Sequence, residues 1–328
     1  VSAAVTIAAL PVAALTLAAL FRIRLGDRLV AVPSDQRWHE RATPLFGGVG
    51  IYLGLVAGAA VAVAVGAVEP SSELFGILGG ATLLFAAGLA DDLLQLNPLV
   101  KLAAQIGAAA IAVASGLNVE LVGSDWIALP IAFVWLVGIT NAFNLLDNMD
   151  GLATTLAAIA CAYFAIDAAT EHPSDLVLVL SLALGFACLG FLPFNLRPGS
   201  RAAVFMGDSG SQLLGFSLAA FGLASSWTVA GTTVATTLLP LLVLAVPILD
   251  TTLVTLLRIA QRRPVSQGGR DHTSHRLVYY GLSETRAVGL LAAVALAVGA
   301  TGVAYSILDD GRITVVGVLV TVVLLVQF

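Results

Sequence analysis

The feature that most constrains this chain is a succession of long apolar runs separated by short polar segments. They lie at roughly 1–20, 45–67, 74–90, 99–115, 127–143, 152–169, 176–194, 209–226, 235–257, 287–306 and 313–328. Each approaches the ~20 residues with which an α-helix crosses a ~30 Å hydrocarbon layer. Composition agrees. Of the 328 residues 59% are hydrophobic and 11% charged, against about 25% charged in a typical soluble domain. Lipid offers the backbone no hydrogen bonds, so the runs must form helices or a closed barrel. They are continuous and not ~10-residue alternating segments, which excludes a barrel. The chain therefore reads as one all-α polytopic membrane domain over residues 1–328, with about eleven transmembrane helices. The first run lacks a basic leader and a cleavage site, and reads as a retained helix.

Threading the runs sets orientation. Arg22, Arg24, Arg28, Arg37, Arg41, Lys101, Arg197, Arg201, Arg258, Arg262, Arg263, Arg270, Arg276 and Arg286 fall on one face, and Arg312 alone on the other. Basic residues mark the cytosolic side, which puts the N-terminus outside and the C-terminus in the cytosol. The cytosolic loops, at about 21–44, 91–98, 144–151, 195–208 and 258–286, hold most of the Gly, Pro, His and Asp. An outward stretch at 116–126 alternates and reads as a small hairpin. A net charge of −5 gives no sign of nucleic-acid binding. Cys161 and Cys188 lie inside apolar runs and read as inert buried thiols.

Five polar constellations share the cytosolic face. Asp91-Asp92 ends the third run, where a helix macrodipole favours cations. The pair needs a compensating cation, a metal or water. Asn141, Asn144, Asp147, Asn148 and Asp150 follow within ten residues at the end of the fifth run. Capping explains one such residue, whereas five suit an oxygen-ligated cation such as Mg²⁺ or another polar ligand. Phe205-Met-Gly-Asp208-Ser-Gly-Ser211 opens the eighth run. Asp208 and Ser209 read as N-caps, as an anion site, or as a metal ligand, and Phe205 as a lipid anchor or stacking platform. His272 and His275 stand three apart with Arg270 and Arg276 beside them, spaced to share a helix face and grip a polyanion. A zinc site lacks further ligands. Last, Arg37, His39, Arg41 and Thr43-Pro44 precede Gly47-Gly48, whose backbone N–H groups could face an anion.

Two other classes fit less well. A secondary transporter sets its acids near the bilayer midplane, and Asp250 is the nearest such residue. An intramembrane di-aspartyl protease would pair Gly207-Asp208 with a second Asp inside a helix, but Asp91 is at a helix end.

In this order and on one face, the five segments resemble the polyprenyl-phosphate N-acetylhexosamine-1-phosphate transferases (glycosyltransferase family 4). The likeness runs from about residue 37 to about 282. Arg41 before Thr-Pro, and His272-Thr-Ser-His275 in place of three consecutive His, set the chain nearer the bacterial undecaprenyl-phosphate N-acetylglucosaminyl 1-phosphate branch than the phospho-MurNAc-pentapeptide branch. Ser274 departs from the favoured branch, which has a His at that place. The resemblance implies transfer of GlcNAc-1-phosphate from a UDP-N-acetylhexosamine to undecaprenyl or decaprenyl phosphate, releasing UMP and starting a cell-envelope glycan. It further implies a Mg²⁺ (or Mn²⁺) cofactor, a bacterial plasma membrane with surrounding lipid, and an active site toward the cytosol. It leaves a homodimer open. By position it makes Asp208 and Asn144 metal ligands. Asp91, Asp92, Asp147, His272 and His275 become catalytic candidates, and Asp150, Phe205, Lys101, Arg276 and Arg41 nucleotide or substrate contacts. A phosphate monoester is mostly ionised above its second pKa of ~6. Asp91 is therefore expected to position the lipid phosphate or tune the metal more than to abstract a proton.

Overall fold

The computed structural model describes residues 2–23, 30–31, 43–119, 124–225, 234–264 and 269–308, with a few more between 316 and 323. Arg41 and its neighbours, the tip of the expected 116–126 hairpin, and most of the last apolar run lie outside the described residues.

A 3₁₀ turn, Ser2–Ala8, leads into α1 (Ala9–Arg22). There follow α2 (Gly47–Ala64), α3 (Ser72–Leu94), α4 (Pro98–Ala114), α5 (Asp125–Leu146), α6 (Leu152–Thr170), α7 (Asp175–Asn195) and α8 (Gly207–Ser225). The chain continues through α9 (Val234–Val243), α10 (Ala245–Ala260), the short α11 (Thr273–Tyr279) and α12 (Glu284–Leu308). Two-residue strands Val30–Ala31 (β1) and Thr43–Pro44 (β2) pair antiparallel, Val30 opposite Pro44.

The first ten apolar runs thus become helices. Among the described residues, seven helices are long and apolar enough to cross a membrane. The others differ for physical reasons. α4 is 17 residues long, α8 is rich in Gly and Ser and carries Asp208 and Gln212, and the ninth run breaks at Leu244 into α9 and α10. Pro247, in the first turn of α10, has no N–H to continue the ladder across that break.

Lipid tails are as apolar as leucine, so close packing and hydrogen bonds hold such helices together. α8 is the centre. Every residue from Ser209 to Leu223 is buried, and the helix packs on α2, α3, α5, α6 and α7. Trp135 Nε1 of α5 donates to Ala219 O of α8 at 2.9 Å. Small residues permit the approach: a Cβ on Gly88 of α3 would meet the Asp208 backbone within about 2.4 Å. The outer helices turn large apolar side chains outward, among them Phe75, Leu99, Trp126 and Val134.

Loops are set by local chemistry. α3 ends at Gln95 in the left-handed region, and Asn97 then caps α4 by accepting from Leu99 N at 2.9 Å, with Pro98 at the first helical position. This tight turn lays the end of α3 beside the start of α4. At the same end of the helices Leu146, Met149, Leu152, Val246, Leu277, Val288 and Leu291 form a second apolar cluster, on which α11 sits.

Candidate active site

The turn between α3 and α4 brings Lys101 to the acid pair. Lys101 Nζ donates to Asp91 Oδ2 at 3.0 Å and to Asp208 Oδ2 at 2.5 Å. The other Asp91 oxygen accepts from Leu96 N at 2.7 Å. Asp92 has a different task. Its two oxygens accept from Asp208 N (2.8 Å) and Ser209 N (3.1 Å), so a carboxylate of α3 caps the N-terminus of α8. The neighbouring acids are therefore compensated separately, one by an ammonium and one by the positive end of a helix. Gly207 makes the second arrangement possible. Its φ is +74°, and a Cβ there would lie about 2.5 Å from Asp92 Oδ2. The sequence reading of Asp208 and Ser209 as their own helix's caps is thus replaced by a cap from α3.

Asn144, on the last turn of α5, donates from Nδ2 to Ser211 Oγ at 2.9 Å. That commits its amino group toward α8 and leaves its carbonyl oxygen as the atom suited to a cation. Beyond it, burial, followed by the charges of Asp208, Asp150 and Asp92, pushes the Asp147 carboxyl up to about 8. Asp150 is raised too, mainly by burial, although Ala202 N donates to its Oδ2 at 2.8 Å. Gly151 N donates to Asn195 Oδ1 (2.7 Å), and Asn195 Nδ2 to Val204 O (3.0 Å), which ties this loop to the segment before α8. Phe205, half-buried, donates its backbone N–H to Pro44 O at 2.8 Å. The N–H groups of Gly47 and Gly48 go to the carbonyls of Phe205 and Met206, not to an anion as the sequence suggested.

One turn deeper lies a set of which sequence reasoning found Asn141 and missed Gln105 and Gln212. Gln105 exchanges hydrogen bonds with Asn141, 3.3 and 2.7 Å, and donates to Gln212 Oε1 at 3.3 Å. Gln105 follows Lys101 by four residues, Gln212 follows Asp208 by four, and Asn141 precedes Asn144 by three. The three amides thus repeat the Lys101–Asp208–Asn144 layer one turn lower. Polar residues at helical spacing inside apolar runs were the available signal.

The histidine motif is held from elsewhere. His272 Nδ1 is 2.7 Å from Asp250 Oδ2, and Thr273 N donates to Asp250 Oδ1 at 2.7 Å. His275 is buried, its ring centroid 6.2 Å from that of His272. Burial and then the His272 charge hold it down at about 4. Arg258, buried on α10, grips Asp271 through Nε and a terminal nitrogen at 2.9 and 2.7 Å. That pairing holds Asp271 at about 2. Ser274 Oγ donates to Asn148 Oδ1 at 2.6 Å, joining α11 to the loop of Asp147 and Asp150. Arg276 is half-buried on α11.

Asp91, Asp92, Lys101, Asn144, Asp147, Asp150 and Asp208 thus gather at one end of α3, α4, α5 and α8, and α11 meets them at Asn148. Among the described residues no three His, Cys, Asp or Glu side chains form a ready metal cluster. The donor set still fits Mg²⁺, which uses one or two carboxylates plus waters and substrate phosphates. Burial does most to raise Asp147, and the neighbouring carboxylates that raise it further are negative charge that a divalent cation would relieve.

Fold and site define a multi-pass membrane protein with a polar centre at its helix ends. A family model described as glycosyl transferase family 4 matches residues 74–226. The chain is 34% identical over 276 residues to the Bacillus subtilis protein named "Probable undecaprenyl-phosphate N-acetylglucosaminyl 1-phosphate transferase", covering 81% of this chain and 74% of the relative. It is 33% identical over 323 residues to a Mycobacterium leprae decaprenyl-phosphate N-acetylglucosaminephosphotransferase, covering 88% and 80%. A phospho-N-acetylmuramoyl-pentapeptide-transferase of Latilactobacillus sakei is 34% identical over 205 residues, 56% of this chain. The chain belongs to glycosyl transferase family 4.

Proposed function

We propose that the protein transfers N-acetylglucosamine-1-phosphate from its UDP-sugar to a polyprenyl phosphate, releasing UMP and beginning a cell-envelope glycan. The relatives aligned over most of the chain carry that activity in their names, whereas the pentapeptide transferase aligns over little more than half. The observation that carries the reading is the placement of Lys101 between Asp91 and Asp208, beside the Asn144–Asp150 segment. It sets a cation and several carboxylates where a soluble sugar nucleotide and a lipid phosphate can meet, at the end of the bundle. Fourteen of fifteen basic residues on that face favour the cytosol of a bacterial plasma membrane. The same bias puts the N-terminus outside, and eleven crossings put the C-terminus in the cytosol.

An oxygen of the lipid phosphate attacks the β-phosphorus of the UDP-sugar. The bond from that phosphorus to the bridging oxygen breaks, and UMP leaves. The nucleophile is already ionised near neutral pH, so no strong base is needed. Asp91, bound to Lys101 and Leu96 N, serves to aim the ammonium. Asp92 serves to fix the start of α8 and so the direction of Asp208. Mg²⁺, held by Asp208 and Asn144, would neutralise diphosphate charge. Asp147 and Asp150 face the nucleotide, with Phe205 stacking on the base. His272, His275 and Arg276 approach the sugar diphosphate. The transporter reading is disfavoured because Asp250, the mid-helix acid, is spent on His272 and Thr273.

The test is UMP release from a panel of UDP-N-acetylhexosamines by membranes carrying the protein, with and without EDTA. The expected result is turnover with UDP-N-acetylglucosamine that stops when divalent cation is removed and returns with Mg²⁺. No release from any member of the panel defeats the proposal.

A further inference from the structure

Resting on the reaction just assigned to this site, we propose that Asp250 is a positioning residue for His272. Its carboxylate holds the Nδ1 edge of the ring and so presents Nε2 as the atom that meets the sugar diphosphate.

Asp250 is the single carboxylate within α10, and it is 3% exposed. A carboxylate so placed is costly unless its oxygens are hydrogen-bonded. Both are. Oδ1 accepts the backbone N–H of Thr273, the first residue of α11, and Oδ2 meets His272 Nδ1, each at 2.7 Å. An ionised carboxylate only accepts, so Nδ1 carries a proton and Nε2 is the ring's remaining polar atom. One side chain therefore sets both the start of α11 and the tautomer of the imidazole, as an outer partner does for a working histidine.

Two further contacts make this a defined orientation and not a chance pair. About two turns along α10, Arg258 grips Asp271, the residue before His272. The consecutive pair Asp271-His272 is thus met by a cation and an anion in matching order, and a slip of one residue would set like charges together. On its other side α11 is tied through Ser274 to Asn148, between Asp147 and Asp150. A ring fixed on Asp250 is therefore also fixed relative to the carboxylate loop.

The experiment has a spectroscopic arm and a kinetic arm, both on the full chain in lipid nanodiscs. The protein has four histidines, so ¹⁵N-histidine labelling with His272→Gln identifies the His272 ring resonances. The expected result is a protonated Nδ1 in the unsubstituted protein. A proton on Nε2 with bare Nδ1 overturns the proposal, and it is read in the unsubstituted protein. In Asp250→Asn the amide oxygen stays on Thr273 N–H and its NH₂ turns to Nδ1, so the proton should move to Nε2. In the kinetic arm, Asp250→Asn should lower kcat for UMP release roughly 10–100-fold with little change in KM. Adding it to His272→Gln should cost nothing more. Unchanged kcat, or losses that multiply in the double variant, overturn the proposal. If the unsubstituted protein releases no UMP, the assigned reaction falls, while the ring spectrum still decides the Asp250–His272 pairing.

Discussion

The candidate site has two walls held by different means. Asp91, Asp92, Lys101 and Asp208 stand on α3, α4 and α8; the α3 and α8 backbones meet at Gly88, and the Asp92 side chain lies against Gly207. These side chains bond directly to one another or to the neighbouring helix's backbone N–H groups. The histidine wall is a seven-residue helix hung from α10 by Asp250 and Arg258 and joined to the first wall's loop by Ser274. The first geometry is fixed by helix packing and can change only if the bundle repacks. The second is seated on the apolar cluster around Leu277 and is oriented by a few side-chain bonds, each separately removable. Rigid charge placement and adjustable contact are thus divided between two parts of one site.

Breaking the first wall should cost most in turnover and least in fold. Asp208→Asn should cut UMP release about 10²–10³-fold, the scale of losing a charged group at a transferring phosphoryl centre. Its melting temperature in detergent should hardly move, because the carboxylate is partly exposed. Equal losses of activity and stability would show that the first wall is no more rigid than the second. Breaking the second wall should do the reverse. Arg258→Met removes a bidentate, charge-assisted pair worth roughly 1.5–3 kcal/mol. It should speed amide exchange across α11 while exchange in α8 stays slow; uniform acceleration would unite the walls.

The next effect is titration. Asp147, at about 8 in the folded protein, binds its proton more tightly there than unfolded. Stability without divalent cation is therefore fullest below the ordinary carboxylate range and falls as pH rises from about 4 to about 8. Asp147→Asn should flatten that slope, and Mg²⁺ should flatten it in the unsubstituted protein; melting curves at several pH values, with EDTA or Mg²⁺, check both. Smallest is Ser274→Ala, which should cost about 1 kcal/mol as one neutral hydrogen bond is lost. Ser274→Thr, which keeps the hydroxyl, should lose less.

Much of this was readable because lipid leaves the backbone few options. The first ten apolar runs became helices, with ends a few residues from those expected, as at 74–90 against Ser72–Leu94. The acid pair announced itself and its need for a compensating cation, but Lys101 entered only through the family resemblance, as a substrate contact; that it is the cation is a tertiary fact. What stayed hidden is tertiary. Nothing local says that Asp91 and Asp92 turn to different partners, or that Asp92 caps a helix more than 110 residues away. Asp250 drew notice as an acid inside a helix, but its partner is in another element. The break at Leu244 lay inside a continuous apolar run, with Pro240 and Pro247 on either side of it as the hints.

The burial of α8 on all sides has a consequence for biogenesis. Carrying Asp208, Ser209, Ser211, Gln212, Ser217 and Ser225, it is a poor candidate to leave the translocon for bare lipid, where polar side chains are disfavoured. Of the helices packed against it, α2, α3, α5, α6 and α7 precede it in the chain, and α9, which meets it at Gly222 through Pro240, follows. The preceding five can be inserted and waiting when α8 emerges. The order of helices in the polypeptide is thereby an assembly schedule, in which the segment bearing Asp208 enters a socket that earlier synthesis has largely built.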